Sequence, residues 1–390
     1  MTGTNRKIRI LFFIGSLRLG GAEKQVVELA LGLDKSRFDA AICCINKGGD
    51  MVEDVRRAGV PVYLADITLF YGKYNPLSWI HLLKNLLRVN RHIRRQKPDI
   101  VHGYLFTAYI IGALCGRWAG VPIILASRRS LGYFKDDKPW RQKIENYANK
   151  KTDLILVNSK AVWEDVLARE KNCEGKIRLI YNGVDLQKYR VGGGNPAVRS
   201  EWHISPDDLV VGVVANLIHY KGHLEILYAA ARLKPDFPRL KFVLVGRDGG
   251  MLKPIEEKII SLGLKESVVL AGSRGDVDKI IPAFDILLLA SHQEGFSNVL
   301  LEGMACAKPI VATRVGGNAE SVADGETGFI IPPRDPGAMA DALRKLLNDA
   351  ALRARMGAAG RQRMEQLFSR EALIRNMENL YLELVEEKIR

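Results

Sequence analysis

The feature that most restricts this chain is a regular alternation of short apolar runs with stretches of helical period, and it occurs twice. In the first half, Arg9–Ile14, Ala40–Ile45, Val60–Leu64, Asp99–His102, Pro122–Ala126 and Asp153–Val157 have strand length and strand composition. Helix-period stretches such as Glu23–Leu33 and Ile80–Arg95 lie between them. In the second stretch Ile80, Leu83, Leu87 and Ile93 fall near one face and basic residues take the other. Three glycines and a proline in Val191–Ala197 suit neither helix nor strand. Beyond them the same grammar restarts with Leu209–Ala215, Lys241–Val245, Ser267–Leu270, Asp285–Ala290 and Pro309–Ala312. The pattern predicts an α/β chain of two doubly wound domains, 1–190 and 191–368, with a terminal helix over 369–390. Open parallel sheets bind ligands at the carboxyl ends of their strands, so the chemistry is expected where strand-end loops of the two domains face each other across a cleft.

Composition narrows the class. Hydrophobic residues at 47% and charged residues at 26% describe a folded chain, not a disordered one. The longest apolar candidate, Ala108–Ala126, is broken by Arg117 and Pro122 and reads as helix, turn and strand. The apolar N-terminal run Ile8–Ile14 contains Arg9 and lacks a small-residue cleavage pattern, so it reads as a first buried strand. The cysteines Cys43, Cys44, Cys115, Cys173 and Cys306 are odd in number and form no C-x-x-C pair, which fits buried thiols in a reducing cytoplasm. Charge is uneven: residues 1–190 hold 33 basic and 18 acidic side chains, residues 191–390 hold 25 and 26. The excess positive charge therefore lies in the first half and points to an acidic partner there, whether nucleic acid, an anionic membrane or a phosphorylated substrate.

Three loops carry chemistry. Ser291-His-Gln-Glu-Gly-Phe-Ser-Asn-Val-Leu-Leu-Glu302 follows an apolar run and opens a helix-period stretch. Its amides at Ser297, Asn298 and Val299, with the helix dipole, suit a phosphate. Glu294 and Glu302 would repel phosphate, so they are expected to accept hydrogen bonds from sugar and ribose hydroxyls. Asn216-Leu-Ile-His-Tyr-Lys-Gly222 follows another strand, and Lys221 there can reach a pyrophosphate as a point charge. Gly15-Ser-Leu-Arg-Leu-Gly-Gly-Ala-Glu23 is glycine-rich but matches neither the P-loop nor the dinucleotide fingerprint, which weakens ATPase and NAD-enzyme readings.

These segments resemble a known family. The run EGFSNVLLE over Glu294–Glu302 looks like the signature of retaining GT-B glycosyltransferases of family 4, the group 1 glycosyl transferases. GGAEKQVVELA, KPDIVHGY, IYNGVD at Ile180–Asp185, YKG at Tyr220–Gly222, KPIVATRVGGNAE and GETGFIIPP at Gly325–Pro333 agree in order and spacing, so the likeness spans the chain. It implies two Rossmann-like domains, with the C-terminal helix crossing back to the first. Glu294 would bind donor-sugar hydroxyls; Gly295, Phe296, Ser297, Asn298 and Val299 would lie against sugar and phosphates. Glu302 would hold the ribose, Lys221 the pyrophosphate and Arg274 the base, while Gly20 and Gly21 would line the acceptor side. No metal and no cofactor is implied, only a nucleotide-sugar co-substrate with UDP favoured and GDP next.

Two departures stand out. Asn216 occupies a position where the family often has arginine, and the fifth strand ends Ala126-Ser-Arg-Arg-Ser130 where the family often has a histidine. Arg128 or Arg129 is therefore expected to face the cleft and bind an anion, Arg129 next to the reacting centre and Arg128 on the acceptor side. Retention without a second placed carboxylate implies front-face attack, with Glu294 positioning the sugar. Aromatic-basic stretches at Leu69–Pro76 and Gly132–Trp140, with the basic face of Ile80–Lys97, suit an anionic membrane surface and a lipid-linked or glycan acceptor. The expected setting is the cytoplasm, with peripheral attachment to the inner face of the cell membrane as an option. A sugar-nucleotide epimerase would need carboxylates and histidines facing the sugar C2. A non-enzymatic basic binding protein would need a nucleic-acid reader motif; none is present, and nucleic acid is not an expected partner.

Overall fold

The computed structural model of the chain describes residues 6–18, 20–46, 48–67, 76–192 and 196–389. The chain divides into two compact units, one of residues 1–181 with 371–390, the other of residues 182–370. Of the stretches singled out above, Leu69–Tyr74 and Asn75 lie outside the described residues, as do Gly193–Asn195.

The first unit runs β1 (Ile8–Ile14), α1 (Gly21–Gly32), β2 (Phe38–Cys44), α2 (Val52–Arg57), β3 (Val62–Leu64), α3 (Pro76–Gln96) and β4 (Ile100–Tyr104). It continues with α4 (Phe106–Ala119), β5 (Ile123–Arg128), α5 (Pro139–Asn149), β6 (Leu154–Val157), α6 (Lys160–Arg169) and β7 (Ile177–Leu179). Its parallel sheet has the order β3-β2-β1-β4-β5-β6-β7, so successive connections diverge between β1 and β4. The second unit runs α7 (Pro196–Glu201), β8 (Val210–Val214), α8 (His223–Leu233), β9 (Lys241–Val245), α9 (Leu252–Ser261), β10 (Val268–Gly272) and α10 (Val277–Ile280). Then come β11 (Ile286–Leu289), α11 (Asn298–Ala305), β12 (Ile310–Thr313), α12 (Asn318–Ser321), β13 (Gly328–Ile331), α13 (Pro336–Asn348) and α14 (Ala350–Leu367). Its order is β10-β9-β8-β11-β12-β13, with the divergence between β8 and β11. Each unit is thus a parallel-sheet, Rossmann-like α/β domain.

Strands buried on both faces read as continuous apolar runs, and β4, β5, β6, β11 and β12 are buried throughout. The chain leaves the first unit at Tyr181, ahead of the glycine-rich Val191–Ala197. The reason is local: Val184 donates its amide to the Phe368 carbonyl and accepts from the Arg370 amide, which ties 182–190 into the second unit.

The last helix, α15 (Arg370–Lys388), belongs to the first unit. It buries Leu373, Met377, Leu380, Tyr381 and Leu384 among β1, β2 and α1 residues, a stripe of helical period. The Tyr381 hydroxyl lies 2.8 Å from His102 Nδ1, and His102 Nε2 lies 2.8 Å from Ser127 Oγ. Burial holds His102 well below its ordinary value, so this imidazole is neutral. All five cysteines are buried and unpaired, and burial pushes Cys43, Cys44, Cys115 and Cys306 up to about 12.

Helix α3 departs from its sequence reading. Val89 and Ile93 face the core, whereas Ile80, Leu83 and Leu87 are exposed. Ile93 lies more than three turns from Ile80, and at 100° per residue it falls on the opposite side. Replacing Leu380 with Ala removes a side chain from the core of the first unit, and we predict a loss of about 2–5 kcal/mol in its unfolding free energy. Denaturant unfolding followed by hydrogen exchange would assign that loss to residues 6–181, with the second unit unchanged.

Candidate functional site

The second unit gathers its polar groups where β8 and β11 end side by side. A single 3-10 turn, His219–Lys221, follows β8, and α11 follows the loop after β11. Lys221 Nζ lies 2.5 Å from Glu294 Oε1, and the Ser291 hydroxyl donates to the same oxygen at 2.6 Å. Both donors use Oε1, which fixes the carboxylate while Oε2 points elsewhere on the same group. Helix α11 begins at Asn298 behind Ser297, whose own side chain does not cap it, and its first turn holds no acidic residue. Its leading amides therefore keep their partial positive charge beside the Lys221–Glu294 pair. Glu302 sits one turn into α11 and is buried.

The loops are stitched together by backbone contacts that the sequence reading did not single out. The His292 amide donates to the Tyr220 carbonyl at 2.7 Å, joining the two loops directly. Gly222 has φ of +70°, and a Cβ there would lie 2.1 Å from the Ala290 carbonyl oxygen. Gly316 has φ of +49°, and a Cβ there would lie 1.8 Å from the Glu294 carbonyl oxygen. Only glycine admits both approaches. The Gly317 amide donates to Gly295 O at 2.9 Å, and the Thr313 hydroxyl donates to Ser291 O at 2.6 Å. Asn182, from the IYNGVD run, donates to Asn298 Oδ1 at 2.6 Å and fixes the first residue of α11. His292 Nε2 lies 2.9 Å from Glu225 Oε1. The signals were present as Gly316-Gly317 and Asn182-Gly183, but the contact partners are distant in sequence.

Other residues proposed from sequence fall elsewhere. Asn216 is exposed just beyond β8, and its Oδ1 accepts from the Arg247 amide at 3.4 Å. Arg274 follows the edge strand β10. Its guanidinium forks onto Asp276 with two bonds of 2.9 Å and also pairs with Glu201, contacts that push its proton affinity up. Among the described residues no group of three or more His, Cys, Asp or Glu side chains is arranged to hold a metal ion.

In the first unit Gly20 precedes α1 in extended conformation and Gly21 opens the helix. The Glu23 side chain folds back over Gly20, where a Cβ would meet its Oε2 at 2.3 Å, and burial raises the Glu23 pKa. The expectation that Arg128 binds an anionic ligand is corrected by its surroundings. Arg128 is buried, and its guanidinium is held by Glu170 at 3.0 and 2.9 Å and by Asn149 at 2.8 Å, over the Tyr109 ring. Lys135, expected on the basic surface, is buried in the same network with Glu145 and Glu170. Burial and the neighbouring Glu170 charge push Glu145 up to about 10. Burial would raise Glu170 too, but Arg128 and Lys135 hold it down at about 2. Arg129 is half-buried, its guanidinium carbon 5.0 Å from the Tyr104 ring centre.

With the fold and site placed, comparison with known proteins is decisive. The model of glycosyltransferase family 4 matches residues 19–188, and that of the group 1 glycosyl transferases matches residues 195–363. The chain is a family 4, group 1 glycosyltransferase. This glycosyltransferase is 25% identical over 401 residues to the UDP-Gal:alpha-D-GlcNAc-diphosphoundecaprenol alpha-1,3-galactosyltransferase of Escherichia coli, with all of both chains covered. It is 26% identical over 316 residues to the capsular polysaccharide biosynthesis glycosyltransferase CapM of Staphylococcus aureus, over 78% of this chain and 82% of that one. Among solved structures, Anabaena Alr3699/HepE in complex with UDP and glucose shares the fold with a TM-score of 0.85 at 22% identity, over 96% of this chain and 99% of that chain.

For the glycosyltransferase we predict that Arg128→Ala acts on stability. Leaving Glu170 buried without its main partner should cost about 3–5 kcal/mol, read as a lowered midpoint in thermal or denaturant unfolding. An unchanged midpoint with lost ligand binding would return Arg128 to the ligand site.

Proposed function

We propose that this glycosyltransferase moves a hexose-type sugar from a nucleoside-diphosphate sugar, UDP favoured over GDP, to a lipid-linked or glycan acceptor. The observation that carries the reading is the Lys221–Glu294–Ser291 cluster beside the N-terminus of α11. The E. coli relative is named for a UDP-sugar donor and a diphosphoundecaprenol acceptor, and the S. aureus relative for capsular polysaccharide biosynthesis. These names support a role in cell-surface polysaccharide or glycolipid synthesis.

The chemistry follows from charge. Cleaving the glycosyl–phosphate bond sends its electron pair to the diphosphate and leaves positive charge on the sugar ring. An ammonium has three donors, so Lys221 can keep Glu294 with one and give the others to the leaving diphosphate. The amides of Phe296 to Val299 and the α11 dipole add fixed positive charge at the same end. Glu294 accepts from a donor-sugar hydroxyl through Oε2 and stays a positioning group, because its other oxygen is held by Lys221 and Ser291. Glu302 takes the ribose. The acceptor hydroxyl attacks from the face the diphosphate leaves and gives its proton to the departing diphosphate oxygen, which retains the anomeric configuration without a covalent enzyme intermediate or a metal. Arg129 serves next to the reacting centre, Gly20 and Gly21 the acceptor side, and Arg274 the base. The protein works in the cytoplasm, at the inner face of the cell membrane.

The reading predicts a split between two variants. Lys221→Ala should weaken UDP binding about tenfold to a hundredfold through loss of a charged hydrogen bond, and slow transfer further. Glu294→Gln should leave UDP affinity within about twofold while lowering sugar transfer about a hundredfold. Transfer of labelled sugar from UDP-glucose, UDP-galactose and their N-acetyl forms to polyprenyl-diphosphate-linked saccharide provides the assay. Undiminished transfer by Glu294→Gln would sink this assignment.

A further inference from the structure

The turn that carries Lys221 is steadied from outside itself. None of its three residues, His219, Tyr220 and Lys221, is buried, so core packing does not fix it. Within it the Lys221 amide donates to the Ile218 carbonyl at 3.1 Å. The remaining support comes from the loop after β11, where residues 290, 292 and 294 each meet the turn or its edge. The Ala290 carbonyl lies against Gly222, the His292 amide donates to the Tyr220 carbonyl, and Glu294 pairs with Lys221.

His292 adds its side chain to these contacts. The imidazole is only 7% exposed and meets the His219 ring edge to face, with centroids 6.2 Å apart. Its Nε2 lies 2.9 Å from Glu225 Oε1. Glu225 stands in the first turn of α8, just past Gly222, where a carboxylate suits the helix dipole. The other ring nitrogen, Nδ1, is buried without a protein partner among the described residues, so Glu225 is what orients the ring. The imidazole thus grips the chain on both sides of Lys221, at His219 and Tyr220 before it and at Glu225 after it.

We propose that His292, oriented by Glu225, is a positioning residue that holds the Lys221 ammonium at the Glu294 carboxylate and the leaving diphosphate. The inference deepens the reading of a nucleoside-diphosphate donor and rests on it. A lysine carries its charge on a flexible four-carbon stem, so the ammonium is placed only when the backbone beneath it is fixed. Its hydrogen bonds weaken beyond about 3.2 Å, and a turn free to drift by about 1 Å would lose them. The negative charge of Glu225, taken alone, would repel a diphosphate. Positioning and repulsion therefore give opposite signs for its removal, which makes the two separable.

The test is calorimetric titration of the full chain with UDP, joined to amide hydrogen exchange that needs no ligand. Glu225→Ala and His292→Ala should each weaken UDP binding about fivefold to tenfold, through misplacement of a charged hydrogen-bond donor. Glu225→Gln keeps the accepting oxygen and should recover affinity to within about twofold of wild type. In a Lys221→Ala background the Glu225→Ala change should matter less than about twofold, because the group it positions is gone. Without UDP, the amides of Lys221 and His292 should exchange at least about tenfold faster in Glu225→Ala, with the strand amides of the second unit unchanged. An equal loss of affinity in both backgrounds overturns the proposal, as does failure of Glu225→Gln to recover binding. Unchanged or tighter binding by Glu225→Ala, or unchanged exchange at Lys221 and His292, overturns it too. Wild type that binds no UDP would count against the donor reading, and the exchange rates would then decide the positioning by themselves.

Discussion

Lys221 and Glu294 are 73 residues apart and meet because β8 and β11 are neighbours whose following connections leave in opposite directions. The sheet order creates a gap between the two loops, and the gap must be filled by groups that tolerate close backbone approach. Gly222 against Ala290 and Gly316 against Glu294 meet that demand. With those approaches in place, Ser291 and Lys221 converge on one carboxylate oxygen and α11 starts beside them. A lysine and a helix N-terminus on one side of a site, with a fixed carboxylate between, suit a leaving diphosphate and a hydroxylated sugar together.

The first unit solves a different problem. Its sheet diverges between β1 and β4 in the same way, yet the basic residues that sequence would send there are partly withdrawn. Arg128 and Lys135 face inward because both pair with the buried Glu170 just beyond α6, whose carboxylate requires cationic partners. Removing Arg128 would take the main partner from that carboxylate in low dielectric, so the network is maintained by mutual need. The positive charge that remains outward is carried by α3 and α5, around apolar side chains the core does not use.

Much of this fold is legible in the amino-acid sequence. Buried parallel strands are continuous apolar runs, which suffices for β1, β4, β8 and β11, and the EGFSNVLLE segment announces a loop followed by a helix. Two edge strands are not legible: β7 at Ile177–Leu179 has three residues, and β13 at Gly328–Ile331 follows a turn that dominates its composition. The expected unit boundary falls too late because glycines mark where a chain can bend, whereas the bonds of Val184 to Phe368 and Arg370 decide which unit holds the segment. In α3, periodicity finds an apolar stripe but does not say that Val89 and Ile93 supply the buried face. The fate of Arg128 depends on partners 17 to 42 residues away, which spacing alone does not reveal.

The proposed function rests on one binding event, a nucleoside diphosphate held between Lys221, the start of α11 and Glu302. Calorimetric titration of the full chain with UDP, GDP and ADP, repeated on Glu302→Ala, reads that event without any acceptor. One preferred nucleotide, UDP, is expected, bound at least about tenfold more weakly by the variant through loss of a charged hydrogen bond to the ribose. Wild type that binds none of the three, or a variant that binds UDP as tightly as wild type, would contradict it.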